Sequence, residues 1–286
     1  MQKFSLRLND FTLKLGYKTS IMGILNTSPD SFSDGFTTFE TAVKQGIKLA
    51  KDGAHILDIG GESSRPFATP VSEQKELDRV IPVIEELSTK INIPISIDTV
   101  KSKVAKEALN AGASIINDIS AFEQDPAMAD LAASKKVPVV LMHMKGTPET
   151  MQLNPDYDDL MSEITNYLKS RVEYAMKKGI QQNNIILDPG IGFGKTIEHN
   201  LVLIKHIAKI ADLGFPVLMG PSRKSFIQSI LSKKENIKIT HDSIQTEYGT
   251  MAAVAVSVLN GTHIVRVHDV AKIRSFTHII DSILNA

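Results

Sequence analysis

Eight short apolar runs, separated by stretches with helical spacing, do most to limit the folds open to this chain. They lie at Ile21–Leu25, Ala54–Ile59, Ile95–Asp98, Ser114–Asp118, Val137–Met142, Asn184–Asp188, Pro216–Gly220 and His263–Val267. Ile, Val and Leu fall on both faces of these runs, as in parallel strands covered on two sides. Between them, Leu77, Val80, Ile81, Ile84 and Leu87 share one helix face, and Leu160, Ile164, Leu168 and Val172 repeat every four residues. Such stripes pack helices against a sheet. Gly53, Gly112, Gly179 and Gly261 each precede a strand-like run, where a helix C-terminal cap belongs. Strand followed by helix, repeated around the chain, predicts a (β/α)8 TIM barrel. A doubly wound open sheet is the alternative, but it usually has fewer strands, and the dinucleotide glycine fingerprint is missing after the first run. Residues 4–8 and 11–15 alternate apolar and polar around Asn9-Asp10, which predicts a short N-terminal β-hairpin.

A chain of 286 residues can bury a large core without disulfide or metal staples. No interior stretch is Pro/Ser-rich or highly charged, so one domain is expected over 1–286, with the hairpin at about 4–15 and the barrel at about 20–286. Thirty-two Lys+Arg against 32 Asp+Glu leave no cation excess for a broad nucleic-acid or polybasic membrane surface. The absence of cysteine excludes thiolate metal sites, iron–sulfur clusters and cysteine nucleophiles. Residues 1–10 lack the apolar region of a secretory signal, and no apolar run reaches the roughly 18–20 residues that span a bilayer. The expected setting is the cytoplasm.

In a parallel barrel, chemistry sits at the C-terminal ends of the strands. Here those ends carry Asn26, Asp58, Asp98, Asn117-Asp118, His143, Asp188, Ser222-Arg223-Lys224 and Arg266-x-His268. One polar strand end can be a helix cap; so many imply convergence on one rim. Arg266 and His268 alternate onto the same strand face, and the helix start after Asp269 adds free N–H groups. That combination suits a phosphate or diphosphate, although a buried Arg paired with a carboxylate is the plainer reading. Asp188-Pro189-Gly190-Ile191-Gly192-Phe193-Gly194-Lys195-Thr196 misses the Walker spacing by one residue, because Pro189 stands where its first glycine belongs. Its glycines instead suit a sharp turn beneath a flat ligand, with Phe193 as an aromatic contact. Asp98, Asn117 and Asp188 offer the acceptors and donors that an aminopyrimidinone edge requires, or they cap helices. Asp118 points the other way along its strand, toward the helix layer. The polar loops at 26–35 and 60–66 are lid candidates or ordinary solvated loops.

Taken in order, Asn26-x-Ser28-Pro29-Asp30-Ser31-Phe32-Ser33-Asp34-Gly35, Asp58-x-Gly60-Gly61-Glu62-Ser63-Ser64-Arg65-Pro66, Ser96-Ile97-Asp98-Thr99, Asn117-Asp118, Met142-His143-Met144, Asp188-Pro189-Gly190, Ser222-Arg223-Lys224-Ser225 and Arg266-Val267-His268-Asp269 resemble the dihydropteroate synthases of folate biosynthesis. The resemblance covers Ile21 to Val270 and is specific because the motifs occur together. It implies a transferase that condenses 6-hydroxymethyl-7,8-dihydropterin diphosphate with 4-aminobenzoate, giving 7,8-dihydropteroate and diphosphate. By motif position, Asp98, Asn117, Asp188 and Lys224 would hold the pterin. Asn26, Ser64, Arg65, Arg266 and His268 would bind the diphosphate, with Asn26 also reaching Mg2+. Phe32, Ser64, Pro66, Phe193 and Ser225 would border the aminobenzoate. Asn26, Asp34, Arg65, Lys224, Arg266 and His268 would form the catalytic set, with Asp34 favouring the developing ammonium. Sulfonamides as competitive inhibitors and a homodimer through the late helices are further implications.

Two positions depart from the family pattern. Phe67 and Phe36 stand where Gly is usual. Phe67 is expected to stiffen or crowd the second loop and to weaken sulfonamides more than aminobenzoate; a solvent-exposed ring without effect is the alternative. The competing functions are a pterin-dependent methyltransferase barrel and a catalytically silent pterin-binding paralogue. The retained Arg266-x-His268 and Ser222-Arg223-Lys224 count against the first, and Asn26, Arg65, Lys224 and His268 against the second.

Overall fold

The structure is a computed structural model and describes residues 1–8, 11–27 and 39–286. Two strands, β1 (Phe4–Leu8) and β2 (Phe11–Leu15), pair antiparallel with Leu6 opposite Leu13. The hairpin falls where alternation places it; Asn9 and Asp10 lie outside the described residues. Eight parallel strands follow: β3 (Ser20–Asn26), β4 (Ile56–Gly60), β5 (Ile95–Asp98), β6 (Ile115–Asp118), β7 (Val139–Met142), β8 (Ile185–Asp188), β9 (Leu218–Met219) and β10 (Ile264–Val267). They run in the order β8-β7-β6-β5-β4-β3-β10-β9, and a bridge between Leu187 and Val217 joins β8 to the approach to β9. That bridge closes the sheet into the expected (β/α)8 barrel.

The helices are α1 (Phe39–Asp52), α2 (Glu73–Lys90), α3 (Ser102–Asn110), α4 (Ala127–Lys135), α5 (Leu160–Lys177), α6 (Ile197–His206), α7 (Ala208–Ala211), α8 (Ser225–Glu235), α9 (Ile244–Leu259) and α10 (Val270–Leu284). In α5 the stripe Leu160, Ile164, Leu168 and Val172 is buried, as its four-residue repeat requires. Side-chain caps fix several starts: Ser72 accepts from Lys75 N–H, Asp159 from Ser162 N–H, and Thr196 forms a capping box with His199. Gly53, Gly112, Gly179 and Gly261 all have positive φ, as caps should.

The period-two alternation of the strands separates two cores. Outward residues such as Leu25, Ile59, Ile97, Leu141 and Val267 pack against helices. Inward residues Met22, Ile56, Ile115, Val140, Ile186, Leu218 and Ile264 meet Leu6, Leu8, Leu13 and Leu15 of the hairpin. The hairpin therefore plugs the N-terminal end of the barrel with leucines. His263 fastens it: one ring nitrogen accepts from Val217 N–H and the other lies 3.0 Å from the Gln2 carbonyl. With the lower end filled, the open end is the mouth at the strand C-termini.

Candidate active site

One step of two residues beyond that leucine-sealed layer, the inward positions turn polar. Ile56 is followed by Asp58, Ile115 by Asn117, Ile186 by Asp188 and Ile264 by Arg266. Asp98 lies in register with Asn117, and His268 continues the inward face of β10. Asn26 ends β3 in phase with Met22 and is half-buried.

Arg266 is the hub of this layer. Its Nε donates to Asp58 Oδ2 at 2.6 Å, and its Nη2 to Asp98 Oδ2 at 2.7 Å. Asn117 Nδ2 also donates to Asp58 Oδ2, at 3.0 Å. Asp58 is fully buried, and its Oδ1 has no partner among the described residues. The two carboxylates hold the guanidinium more firmly protonated than usual. Thus the carboxylate pairing of Arg266 is realised, and it fixes the guanidinium in the barrel mouth. Asp58, given no role by its strand-end position alone, is the residue that orients it. Its signal was its phase, two residues after the inward Ile56.

Around Arg266, Asp98, Asn117, Asp188, Phe193 and Lys224 line one cavity of about 350 Å3. Ser64 closes its outer side. Burial pushes the Asp98 carboxyl up to about 7 despite the pull of Arg266, and pushes Asp188 up to about 6. Burial and neighbouring Arg266 push Lys224 down to about 8. Asp98 is compensated by Arg266, whereas Asp188 accepts from Gly190 N–H at 2.7 Å. Lys224 Nζ sits 4.0 Å from the centre of the Phe193 ring. Asp188 and Lys224 are thus two titratable groups of opposite charge facing one slot.

The loop that carries Phe193 depends on glycine at one point in particular. Gly190 has φ +70°, and a Cβ there would lie 1.8 Å from the His143 carbonyl oxygen. Phe193 itself is buried, consistent with an aromatic wall rather than a surface ring. Thr196 caps α6, and no phosphate-loop geometry is required to explain the glycines.

His268 lies at the same mouth. Its backbone N–H donates to Ser222 Oγ at 3.2 Å, and its Nδ1 is 2.9 Å from the same oxygen. The Ser222 hydroxyl can accept the backbone N–H and donate to Nδ1 at once, and in that arrangement the ring is the Nε2–H tautomer, free to donate. Burial, with Arg223, Arg266 and Lys224 nearby, pushes the imidazole down to about 3, so it is neutral near pH 7. Arg223 itself turns away: its Nε donates to Glu247 on α9 at 2.6 Å, and its φ is +57°. Within Ser222-Arg223-Lys224, serine and lysine serve the mouth and arginine anchors the loop. Asp118 is outward as expected, accepting from Ser120 N–H and Oγ and from Phe122 N–H.

On the second loop, Ser64 reaches the cavity while Arg65 and Pro66 are exposed. Arg65 is close enough to Lys224 and His268 to lower both. Ser225 begins α8 and is exposed. Phe67 is 65% exposed and lines neither the slot nor the larger cavity beside it; its N–H donates to the Pro148 carbonyl and its φ is +64°. The ring stands in solvent, on a backbone strained for a non-glycine residue. Phe32, Asp34 and Phe36 lie outside the described residues. A larger cavity of about 870 Å3 adjoins the slot across Ser64, Asp98 and Ile119. Its acidic wall includes Glu62 and Glu76, both paired with Lys101. Opposite charges converge in the smaller cavity, where Asp98 and Asp188 face Lys224 and Arg266. Among the described residues, no cluster of three or more His, Asp or Glu side chains could hold a metal ion.

This geometry agrees with the comparisons. Residues 22–268 match the family model described as "Pterin binding enzyme". A dihydropteroate synthase of Synechocystis sp. is 45% identical over 270 residues, covering 94% of this chain and 91% of its own. A dihydropteroate synthase of Xanthomonas albilineans solved with 4-aminobenzoic acid superposes with a TM-score of 0.90 at 39% identity, covering 100% of both chains. A Yersinia pestis dihydropteroate synthase in a sulfonamide drug complex gives 0.92 at 38% identity, covering 99% of this chain and 100% of its own. With a polar slot of Asp98, Asn117, Asp188, Lys224 and Arg266 in a matching barrel, the chain belongs to the dihydropteroate synthase family of pterin-binding enzymes.

Proposed function

We infer that this chain condenses 6-hydroxymethyl-7,8-dihydropterin diphosphate with 4-aminobenzoate, forming 7,8-dihydropteroate and releasing diphosphate. The observation that carries the reading is the single cavity in which Asp98, Asn117, Asp188 and Lys224 surround Arg266, with His268 on the same rim. Asp98 and Asp188 accept from the pterin ring and amino N–H groups, and Asn117 and Lys224 donate to its carbonyl and ring nitrogen. Pterin N–H donors favour the ionised carboxylates, offsetting the burial that raises them.

The methylene–oxygen bond breaks with its electron pair leaving on diphosphate, and the arylamine lone pair forms the new carbon–nitrogen bond. Positive charge therefore develops at the pterin methylene. Asp98 and Asp188 line the slot and Asp58, buried against Arg266, offsets the guanidinium, an arrangement that favours a cationic ring. Arg266, Arg65 and the neutral His268 Nε2–H meet the leaving charge. Asn26 offers one amide oxygen, a weak Mg2+ donor by itself, so the ion fits as part of a diphosphate complex. Bound there, Mg2+ would supply Lewis-acid stabilisation of the leaving group. The arylamine needs no strong base; Asp34 is assigned to favour the ammonium before its proton is lost. Ser64, Pro66, Phe193 and Ser225 are assigned to border the arylamine and the second loop to exclude water from the cation; Phe32, given the same role by its motif, lies outside the described residues.

Diphosphate release measured with and without 4-aminobenzoate, in Mg2+, tests this reading. Release that requires aminobenzoate and matches dihydropteroate formation supports it. Release in both conditions indicates hydrolysis, and release in neither indicates a silent binder or a methyltransferase. Sulfonamides, as arylamine mimics, are assigned to compete with aminobenzoate. Tyr248, Val256 and Leu259 on α9 and Ile279 and Ile283 on α10 are exposed, and these late helices are assigned to a second copy of the chain. No helix among the described residues is long and apolar enough to cross a membrane. We place the protein in the cytoplasm; its balanced charge supplies no broad nucleic-acid surface.

A further inference from the structure

Lys195 is 3% exposed, and among the described residues it forms no ion pair. Burying a lysine against neutral groups costs stability, and an apolar side chain of similar length would avoid that cost. Its Nζ lies 2.8 Å from the Phe193 carbonyl, 3.0 Å from His143 Nδ1 and 3.4 Å from the His143 carbonyl. Three ammonium hydrogens thus have three acceptors, and His143 is held as its Nε2–H tautomer. The contacts join the loop after β7 to the loop after β8 directly beneath Phe193.

Elsewhere in that loop Gly190 N–H donates to Asp188 Oδ1 at 2.7 Å, and neutral groups make further ties. Gly192 N–H donates to Asn200 Oδ1 at 2.6 Å, Gln152 donates to the Gly192 carbonyl at 3.0 Å, and Tyr157 OH donates to the Gly194 carbonyl at 2.8 Å. Tyr157 and Tyr167 pack around His143. Lys195 supplies the bond to Phe193's own carbonyl, the point from which the ring's height over the slot is set. On the opposite side, the ring meets Lys224. Asp188 and Lys224 are the charged groups that act on Lys195, and burial pushes it down to about 7. An amine that has lost its proton still donates to two of the three acceptors.

We propose that Lys195 is a positioning residue for the condensation: it holds the Phe193 wall at the height that receives the arylamine, without touching either substrate. The proposal rests on the reading above that Phe193 borders the aminobenzoate. A neutral packing residue would affect folding and both substrates alike, whereas a positioning residue separates them.

Steady-state kinetics with both substrates, together with direct titration of a pterin by fluorescence, make the test. Lys195→Met is expected to raise the aminobenzoate KM about tenfold, equal to roughly 1.4 kcal/mol. Pterin affinity stays within about threefold, because the residues that hold the pterin are untouched. Lys195→Gln, whose amide can donate to the Phe193 carbonyl, recovers part of the loss. In a Phe193→Ala background, Lys195→Met adds less than about twofold, since the wall it positions is gone. An unchanged aminobenzoate KM, equal losses for both substrates, or full additivity with Phe193→Ala overturns the proposal. If Lys195→Met does not fold, Lys195→Gln carries the test under the same criteria. A wild-type chain without condensing activity defeats the functional reading and this proposal together; an active wild type with an unaffected variant defeats this proposal alone.

Discussion

Replacing Arg266 with Met removes the cation that two inward carboxylates share, and the consequence can be worked out from their surroundings. Asp58 loses the 2.6 Å bond to Nε and keeps Asn117 Nδ2 at 3.0 Å, with Oδ1 already unpartnered. Asp98 loses the 2.7 Å bond to Nη2. Its carboxyl stands at about 7 with the guanidinium beside it, so without that pull it takes up a proton near neutrality at little cost. The loss therefore falls mainly on fully buried Asp58. Removing one partner of a buried pair costs about 3–5 kcal/mol, and that is the destabilisation expected at pH 8. An acid whose pKa is higher folded than unfolded destabilises the native state above the folded value, and ceases to as pH falls toward the unfolded one. The penalty should accordingly shrink between pH 8 and pH 5 as the Asp98 carboxyl, freed of its guanidinium, protonates. Urea denaturation followed by circular dichroism at both pH values measures it. Arg266→Met combined with Asp58→Asn should recover at least about 1.5 kcal/mol, because neighbours within one charge network are coupled. A cost below about 1 kcal/mol at pH 8, typical of exposed pairs, or no dependence on pH would refute the reasoning.

Other residues of the barrel give further expected outcomes. The pH profile of kcat/KM for the pterin substrate should be bell-shaped, falling below about pH 6 as Asp188 protonates and above about pH 8 as Lys224 loses its proton; a flat profile between these limits and beyond would exclude those roles. Phe67→Gly relieves a φ of +64° at an exposed site; left-handed relief of about 1–2 kcal/mol against about 0.5–1 of added chain entropy predicts unchanged or slightly raised stability. The ratio of sulfonamide Ki to aminobenzoate KM should stay constant in that variant, and a changed ratio would restore a crowding role for the ring. Asp118→Asn replaces one acceptor oxygen facing Ser120 and Phe122 with a donor, and should cost about 1–3 kcal/mol in thermal or urea unfolding while leaving the pterin KM unchanged.

Alternating apolar residues placed the hairpin at β1 and β2 and the eight inner strands close to their observed positions, since a strand's period and a helix's stripe are local properties. The polar strand ends likewise announced the mouth, and Asp98, Asn117, Asp188 and Lys224 do meet in one cavity. Partnership was another matter. Sequence allowed Arg266 either an anion or a carboxylate; only barrel closure brings Asp58 and Asp98, 208 and 168 positions away, onto one guanidinium. The same packing sends Arg223 to Glu247, leaves Phe67 in solvent, and buries Lys195 beneath Phe193. Sequence alone determined the barrel's repeating elements and which faces look inward, because those follow from neighbours along the chain. The tertiary structure decided which charges compensate one another, because that depends on distances across a closed sheet between residues with no local relation.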